Sequence, residues 1–159
     1  MFRGTPISQE PLRNNRFILE FPTDLGIQSF EIQTMAMPKA AINPVELKYF
    51  GQSEYVAGNV SVDPLTMTII QHIGPSTSQK VMEWFRLHHE FLTNRTGYAV
   101  GYKKDLTIKK LDPTLVEVEK WILLKCQITT IDFGALDHAD DAISMTSLTV
   151  QPHGFELLY

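Results

Sequence analysis

Along most of the chain, apolar and polar residues alternate with a period of two, as in half-buried strands; a period of three to four appears once. RFILEF, from Arg16 to Phe21, reads as a short strand, and Pro22 to Gly26 as a turn. Ile27 to Met35 reads as a second strand, with Ile27, Phe30 and Ile32 opposed to Gln28, Glu31 and Gln33 after a slip near Ser29. These two strands are expected to form a hairpin with one polar face. AMPKAAINP, from Ala36 to Pro44, carries two prolines and no ladder pattern, which predicts a connection. Val45 to Phe50 and Glu54 to Val62 then predict two β segments joined at Gly51-Gln52, with a turn or bulge at Gly58-Asn59. Leu65 to Gln71 is a stronger strand, with Leu65, Met67 and Ile69 on one face and Thr66 and Thr68 on the other.

The helical period follows Gly74-Pro75. Val81, Trp84, Phe85, His88, Phe91 and Leu92 share one face, predicting a helix from Ser76 to Leu92 with Ser76, Thr77 or Ser78 as its N-cap. Packing that face on a sheet would contribute about 1.5 to 3 kcal/mol per large side chain before entropy is subtracted. Thr93 to Lys104 reads as a loop, Leu106 to Leu111 as a strand, and Asp112-Pro113 as a turn. Leu115 to Thr130 is a long β run with Val116 and Val118 on one face and Ile122, Leu124, Cys126 and Ile128 alternating farther along, so one bent strand can carry both. Phe133 to Asp141 is an acidic turn, and Ile143 to Val150 and Phe155 to Leu158 are closing strands. The first fifteen residues, MFRGTPISQEPLRNN, read as an extended arm. The expectation is a mainly β (α+β) fold: a β-sandwich or barrel of about eight strands with one packed amphipathic helix, as a single domain over residues 1–159.

Composition narrows the function. The chain has 159 residues, 43% of them apolar, and a formal net charge of -4, from 14 basic and 18 acidic residues. That balance lacks the basic surface a phosphate-neutralising nucleic-acid binder needs. Apolar runs such as Trp121 to Leu124 are far shorter than a bilayer span, and the N-terminus has no basic-then-apolar signal pattern, so no membrane anchor is expected and the chain is expected in the cytoplasm. Cys126 is the one cysteine, so a disulfide within the chain is excluded and a small buried hydrophobe is expected.

Catalytic motifs are missing from the text: neither glycine-rich phosphate loop, nor GxSxG, nor HExxH occurs. His88 and His89 are adjacent and diverge by about 100° on a helix, which disfavours shared metal ligation. His138, Asp140 and Asp141 could hold a divalent ion but read more simply as a solvated turn, and Glu117 and Glu119 as one face of a strand. No catalytic residue, metal or cofactor is therefore assigned.

Two polar features remain. Glu31 and Gln33, Thr66 and Thr68, Lys125, Gln127 and Thr129, and Ser144 and Thr146 recur on strand after strand, giving a wet face. The β pair built from Val45, Glu46, Lys48, Tyr49, Phe50, Gly51, Glu54, Tyr55, Val56, Ala57, Gly58 and Asn59 is too long for a tight turn and too poor in core residues to stabilise itself alone. Such an arm is expected to dock on something.

The order of these features resembles the tail tube proteins of contractile-tailed phages, a family similar in fold to the tube subunits of type VI secretion and related contractile injection systems. The resemblance runs from about Asn15 to the C-terminus: RFILEF, then FEIQTMAMP ending in an Ala-x-Pro turn at Ala36, Met37 and Pro38, a polar hairpin with Val56, Ala57 and Gly58, LTMTIIQH, the amphipathic helix, and a last strand after an acidic turn. It implies a homo-oligomer, with six subunits in a ring and rings stacked into a tube inside a sheath. The implied partners are sheath, baseplate and tail-terminator proteins, with transient, sequence-independent passage of DNA. Its implied place is the virion tail, after assembly in the host cytoplasm. On that reading Glu31, Gln33, Thr66, Thr68, Ser144 and Thr146 face the lumen, and the arm reaches a neighbouring subunit or ring. A tube-like baseplate component, a tube subunit of an injection system, a monomeric binding module and a small enzyme using His138 or the glutamates are the alternatives.

Overall fold

A computed structural model of the chain describes residues 10–159. Among these, eleven strands and two helices follow one another as β1 (Phe17–Glu20), β2 (Ile32–Met35), β3 (Ala40–Tyr49), β4 (Gln52–Val62), β5 (Leu65–Ile70), α1 (Thr77–His88), β6 (His89–Glu90), β7 (Arg95–Thr96), α2 (Ala99–Tyr102), β8 (Lys104–Leu111), β9 (Glu117–Asp132), β10 (Met145–Gln151) and β11 (Gly154–Leu157). The architecture is mainly β and antiparallel, but the sheet does not close into a barrel. Residues 1–9 of the expected N-terminal arm lie outside the described residues.

The main sheet runs β1-β8-β9-β10-β5-β2, with β11 also paired to β9. Its hub is β9, whose sixteen residues pair with β8 between Glu117 and Cys126, with β11 through Trp121–Leu124 and with β10 through Gln127–Asp132. The register shifts near Lys125 and again at Thr129, and Lys125 sits at φ 49°, a left-handed conformation that non-glycine residues rarely adopt. These bulges reset which side chains point inward. Leu123 and Cys126, three apart, are both fully buried, whereas Ile122, Leu124 and Ile128 are only half-buried. The unbroken alternation of Ile122, Leu124, Cys126 and Ile128 read from the sequence is corrected accordingly.

Both halves of the sheet and the helix meet in one core. Leu19, Leu106, Ile108 and Leu123 come from one half, Leu65, Met67, Ile69, Leu148 and Val150 from the other, and Val81 and Trp84 from α1. The indole N–H of Trp84 donates to the Tyr102 carbonyl at 2.8 Å, so its polar edge is satisfied while its rings are buried. A second bond network fixes the helix N-terminus. Glu31, 1% exposed, accepts from the Gln28 amide at 2.9 Å and the Thr77 hydroxyl at 3.2 Å, and pairs with Lys80 at 3.2 Å. Ser76 holds the N-cap position without a side-chain cap bond.

Several sequence expectations change here. β1 and β2 do not form a hairpin; β1 pairs with β8 and β2 with β5, at opposite ends of the strand order, because Ser29–Glu31 forms a 3-10 turn that redirects the chain. The helix ends at His88, not Leu92. His89 turns to extended backbone and β6 folds back through Asn94, at φ 55°, onto β7. The Gly97 amide then donates to the His88 carbonyl at 2.8 Å, and a Cβ at Gly97 would stand 1.9 Å from the Leu87 carbonyl oxygen, so only glycine fits. Consequently His88, Phe91 and Leu92 are exposed and do not belong to the packed face, which consists of Val81, Trp84 and half-buried Phe85. The helical spacing ran past the residue where the helix stops.

Candidate assembly interface

The arm is a single hairpin, β3 paired to β4, and forms no ladder with the main sheet. Phe50 and Gly51, at φ 48° and 76°, make the tight turn whose twist suits antiparallel strands. Opposite Asn43 the longer strand carries the bulge Gly58-Asn59, and a Cβ at Gly58 would come 2.4 Å from the Asn43 carbonyl oxygen. The hairpin therefore begins at Ala40, inside the segment read from sequence as a connection, with Pro44 tolerated next to the bulge. At its base the Gln151 side chain donates to the Val62 carbonyl at 2.8 Å.

Polar is the wrong description of this arm. Ile42, Val45, Leu47, Tyr49, Phe50, Tyr55, Val56 and Val60 are all exposed on it. Val45 and Val56 are directly paired and share a face with Leu47 and Tyr49, while Ile42 and Val60 share the other face near the base. Covering each would contribute on the order of 1 kcal/mol, because each is already partly shielded by its neighbours. Glu46, paired with Tyr55, accepts a bond from Ser53 at 2.8 Å.

The second surface is a threonine-rich sheet face. Direct pairing lines up Asp132, Ser147, Thr68 and Thr34 in one row across β9, β10, β5 and β2, and Thr130, Thr149 and Thr66 in the next. These residues are exposed or half-buried, and none is basic. Thr66 and Thr68 were named from sequence for this face; Gln33 sits at the β2 irregularity and is exposed, and Ser144 precedes β10 in an exposed loop. Glu31 and Thr146 are corrections: Glu31 is enclosed by Lys80 and Thr77, and Thr146, fully buried, accepts a bond from the Gln71 amide. Thr146 shares its parity with Leu148 and Val150, the two large aliphatics of β10, and that parity was the available signal for Ser147 and Thr149 instead. Thr34 and Thr130 were missed because bulges at Gln33 and Thr129 break the count.

The groups considered for chemistry are dispersed. Burial, and then the nearby Asp105 charge, push the Cys126 thiol up to about 12. Glu117 and Glu119 pair with Lys109 at 3.1 Å and Lys110 at 3.5 Å. His138, Asp140 and Asp141 lie in an exposed loop in which Asp137 and Asp140 fold the backbone by accepting the Ala139 and Ala142 amides, each at 3.0 Å. Among the described residues no group of three or more His, Cys, Asp or Glu is placed to hold a metal ion, and no helix is long and apolar enough to cross a membrane.

The sequence matches no protein-family model and no curated protein. Solved structures match over almost the whole chain. A chain of the sheath-tube complex of the extracellular contractile injection system PVC, in its extended state, aligns with a TM-score of 0.75 at 15% identity, covering 97% of this chain and 98% of that one. The fold is that of contractile-injection-system tubes. A chain of the PVC sheath/tube terminator shares this tube-like fold with a TM-score of 0.75 at 14% identity, covering 95% and 99% of the two chains. The tube-terminating cap of the anti-feeding prophage shares it at 0.74 and 16% identity, covering 94% and 91%.

Proposed function

We propose that this chain is a non-enzymatic structural subunit of a phage-type tail tube, in which six copies form a ring and rings stack inside a contractile sheath as the conduit for genome delivery. The observation that carries this reading is the β3–β4 hairpin, a folded ribbon with apolar side chains exposed on both faces and, among the described residues, no ladder to its own body. A monomer gains little from such a ribbon; a neighbouring copy gives it a surface. In this reading the threonine-rich face lines the lumen. A wall that presents hydroxyls and Asp132 but no cation gives DNA phosphates no positive charge to pair with, so the cargo is held weakly and slides. Sheath, baseplate and tail-terminator proteins are the further partners, and the virion tail is its place.

A second reading, a terminator or baseplate component at the end of such a tube, is favoured by the equal likeness to a tube complex and to a terminator. Negative-stain imaging of the purified protein, with and without a baseplate nucleus, separates the two. Open-ended tubes of many rings support a tube subunit, single capped rings support a terminator, and a persistent monomer under both conditions refutes both. Deletion of Ala57 to Asn59 should shorten or abolish the tubes; tubes indistinguishable from wild type would remove the arm from stacking.

A further inference from the structure

The paired segment of β9 and β10 has chemically opposite ends. At one end, the loop from Phe133 to Ser144 joins the strands and exposes Asp137, Asp140 and Asp141, with no lysine or arginine among them. Asp137 and Asp140 each spend one oxygen on a backbone amide, which leaves the loop folded, and none of the three forms an ion pair among the described residues. Beside them Leu136 is almost fully exposed. At the other end, about 17 Å away along the strands, a recess of about 360 Å³ is lined by Lys103, Lys125, Gln127, Gln151, His153 and Val60.

Lys103 and Lys125 likewise form no ion pair among the described residues. Asp105, the neighbouring acid, is engaged by the Lys125 backbone amide at 2.9 Å. Lys125 holds a left-handed backbone, a conformation lysine avoids, at the bulge that aims it here. Gln127 adds a side-chain amide, which can donate to a carboxylate, Gln151 closes the floor with its amide donating to the Val62 and Pro152 carbonyls, and Val60 adds an exposed apolar wall.

We propose that the acidic loop of one copy seats in the Lys103–Lys125 recess of a second copy in the next ring, its carboxylates on the two ammonium groups and Leu136 against Val60. The proposal rests on the tube reading and names the joint that reading requires. Because the two surfaces differ and lie at opposite ends of one strand pair, the contact is head-to-tail and repeats without limit, as stacking demands. Opposite charge also sets its polarity, since loop against loop and recess against recess repel.

The test is a charge swap in the full-length protein, scored by tube number and length in negative stain. D137K/D140K and K103E/K125E, each with a wild-type circular dichroism spectrum and thermal midpoint, should each lower tube yield at least about tenfold, and the quadruple variant should recover most of it. Tubes from either reversed variant at wild-type yield would overturn the proposal, as would a quadruple variant no better than the two doubles. If wild-type protein forms no tube even on a baseplate nucleus, the tube reading fails, and this joint fails with it.

Discussion

Replacing Lys80 with methionine tests whether the helix is held to the body by charge. The Lys80 and Glu31 side chains are 13% and 2% exposed and lie 3.2 Å apart. In K80M the carboxylate stays buried with only the Gln28 amide and the Thr77 hydroxyl for company. Breaking a buried pair from one side costs about 3 to 5 kcal/mol, and the two surviving donors place this case near 3. E31Q is milder, about 1 to 2 kcal/mol, because the lysine stem can carry its ammonium toward water and the amide oxygen still accepts from Gln28. E31Q/K80M buries no charge, so it should be about 1 to 2 kcal/mol more stable than K80M alone. At about 2 to 4 °C per kcal/mol for a domain of this size, K80M should melt about 6 to 12 °C below wild type. Urea unfolding followed by tryptophan fluorescence supplies the free energies. Strictly additive losses in the double variant would refute the account, since they would mean that neither charge responds to the loss of the other.

Gly97→Ala should lose more than about 2 kcal/mol and detach β6 and β7 from the end of α1, read as a drop in the thermal midpoint and faster amide exchange in residues 89–97, because the new methyl group meets the Leu87 carbonyl oxygen. Cys126 should resist a neutral-pH thiol reagent in native protein and react only after denaturation, since burial suppresses its thiolate. Lys104 donates to Asp24 at 2.6 Å and holds that carboxyl below its ordinary value of 3.8. The stabilisation is thus complete above that value and is lost as pH falls through the lower folded one, so D24N should flatten the acid limb of a stability profile below about pH 4.

How much could be read in advance depended on where the chain is regular. Leu65, Met67 and Ile69 alternate without interruption and are buried as the pattern says. The hairpin bulge at Gly58-Asn59 was legible because glycine beside asparagine marks such positions. Elsewhere the count was lost at single residues. Side-chain parity in β9 restarts at Lys125 and Thr129, and in β2 at Gln33, and none of these is a glycine that would announce a bulge. Glu31 looked like one more polar strand residue, and only the folded chain brings Lys80, 49 positions away, to neutralise it. Phe91 and Leu92 kept the helical spacing after the backbone had left the helix, since Gly97 closes the turn from beyond the window in which periodicity is counted.

The length of β9 has a mechanical side. Its sixteen residues belong to both halves of the sheet. A pull applied at the loop after Asp132 enters this strand directly and travels along covalent backbone past Lys125 into the segment gripped by β8 and β11. Ladder bonds in an antiparallel sheet lie across the strands, so a load along the strand strains many of them together in shear instead of peeling them one at a time. The bulges that cost this strand its regularity let one continuous tie-rod turn the corner between the two halves.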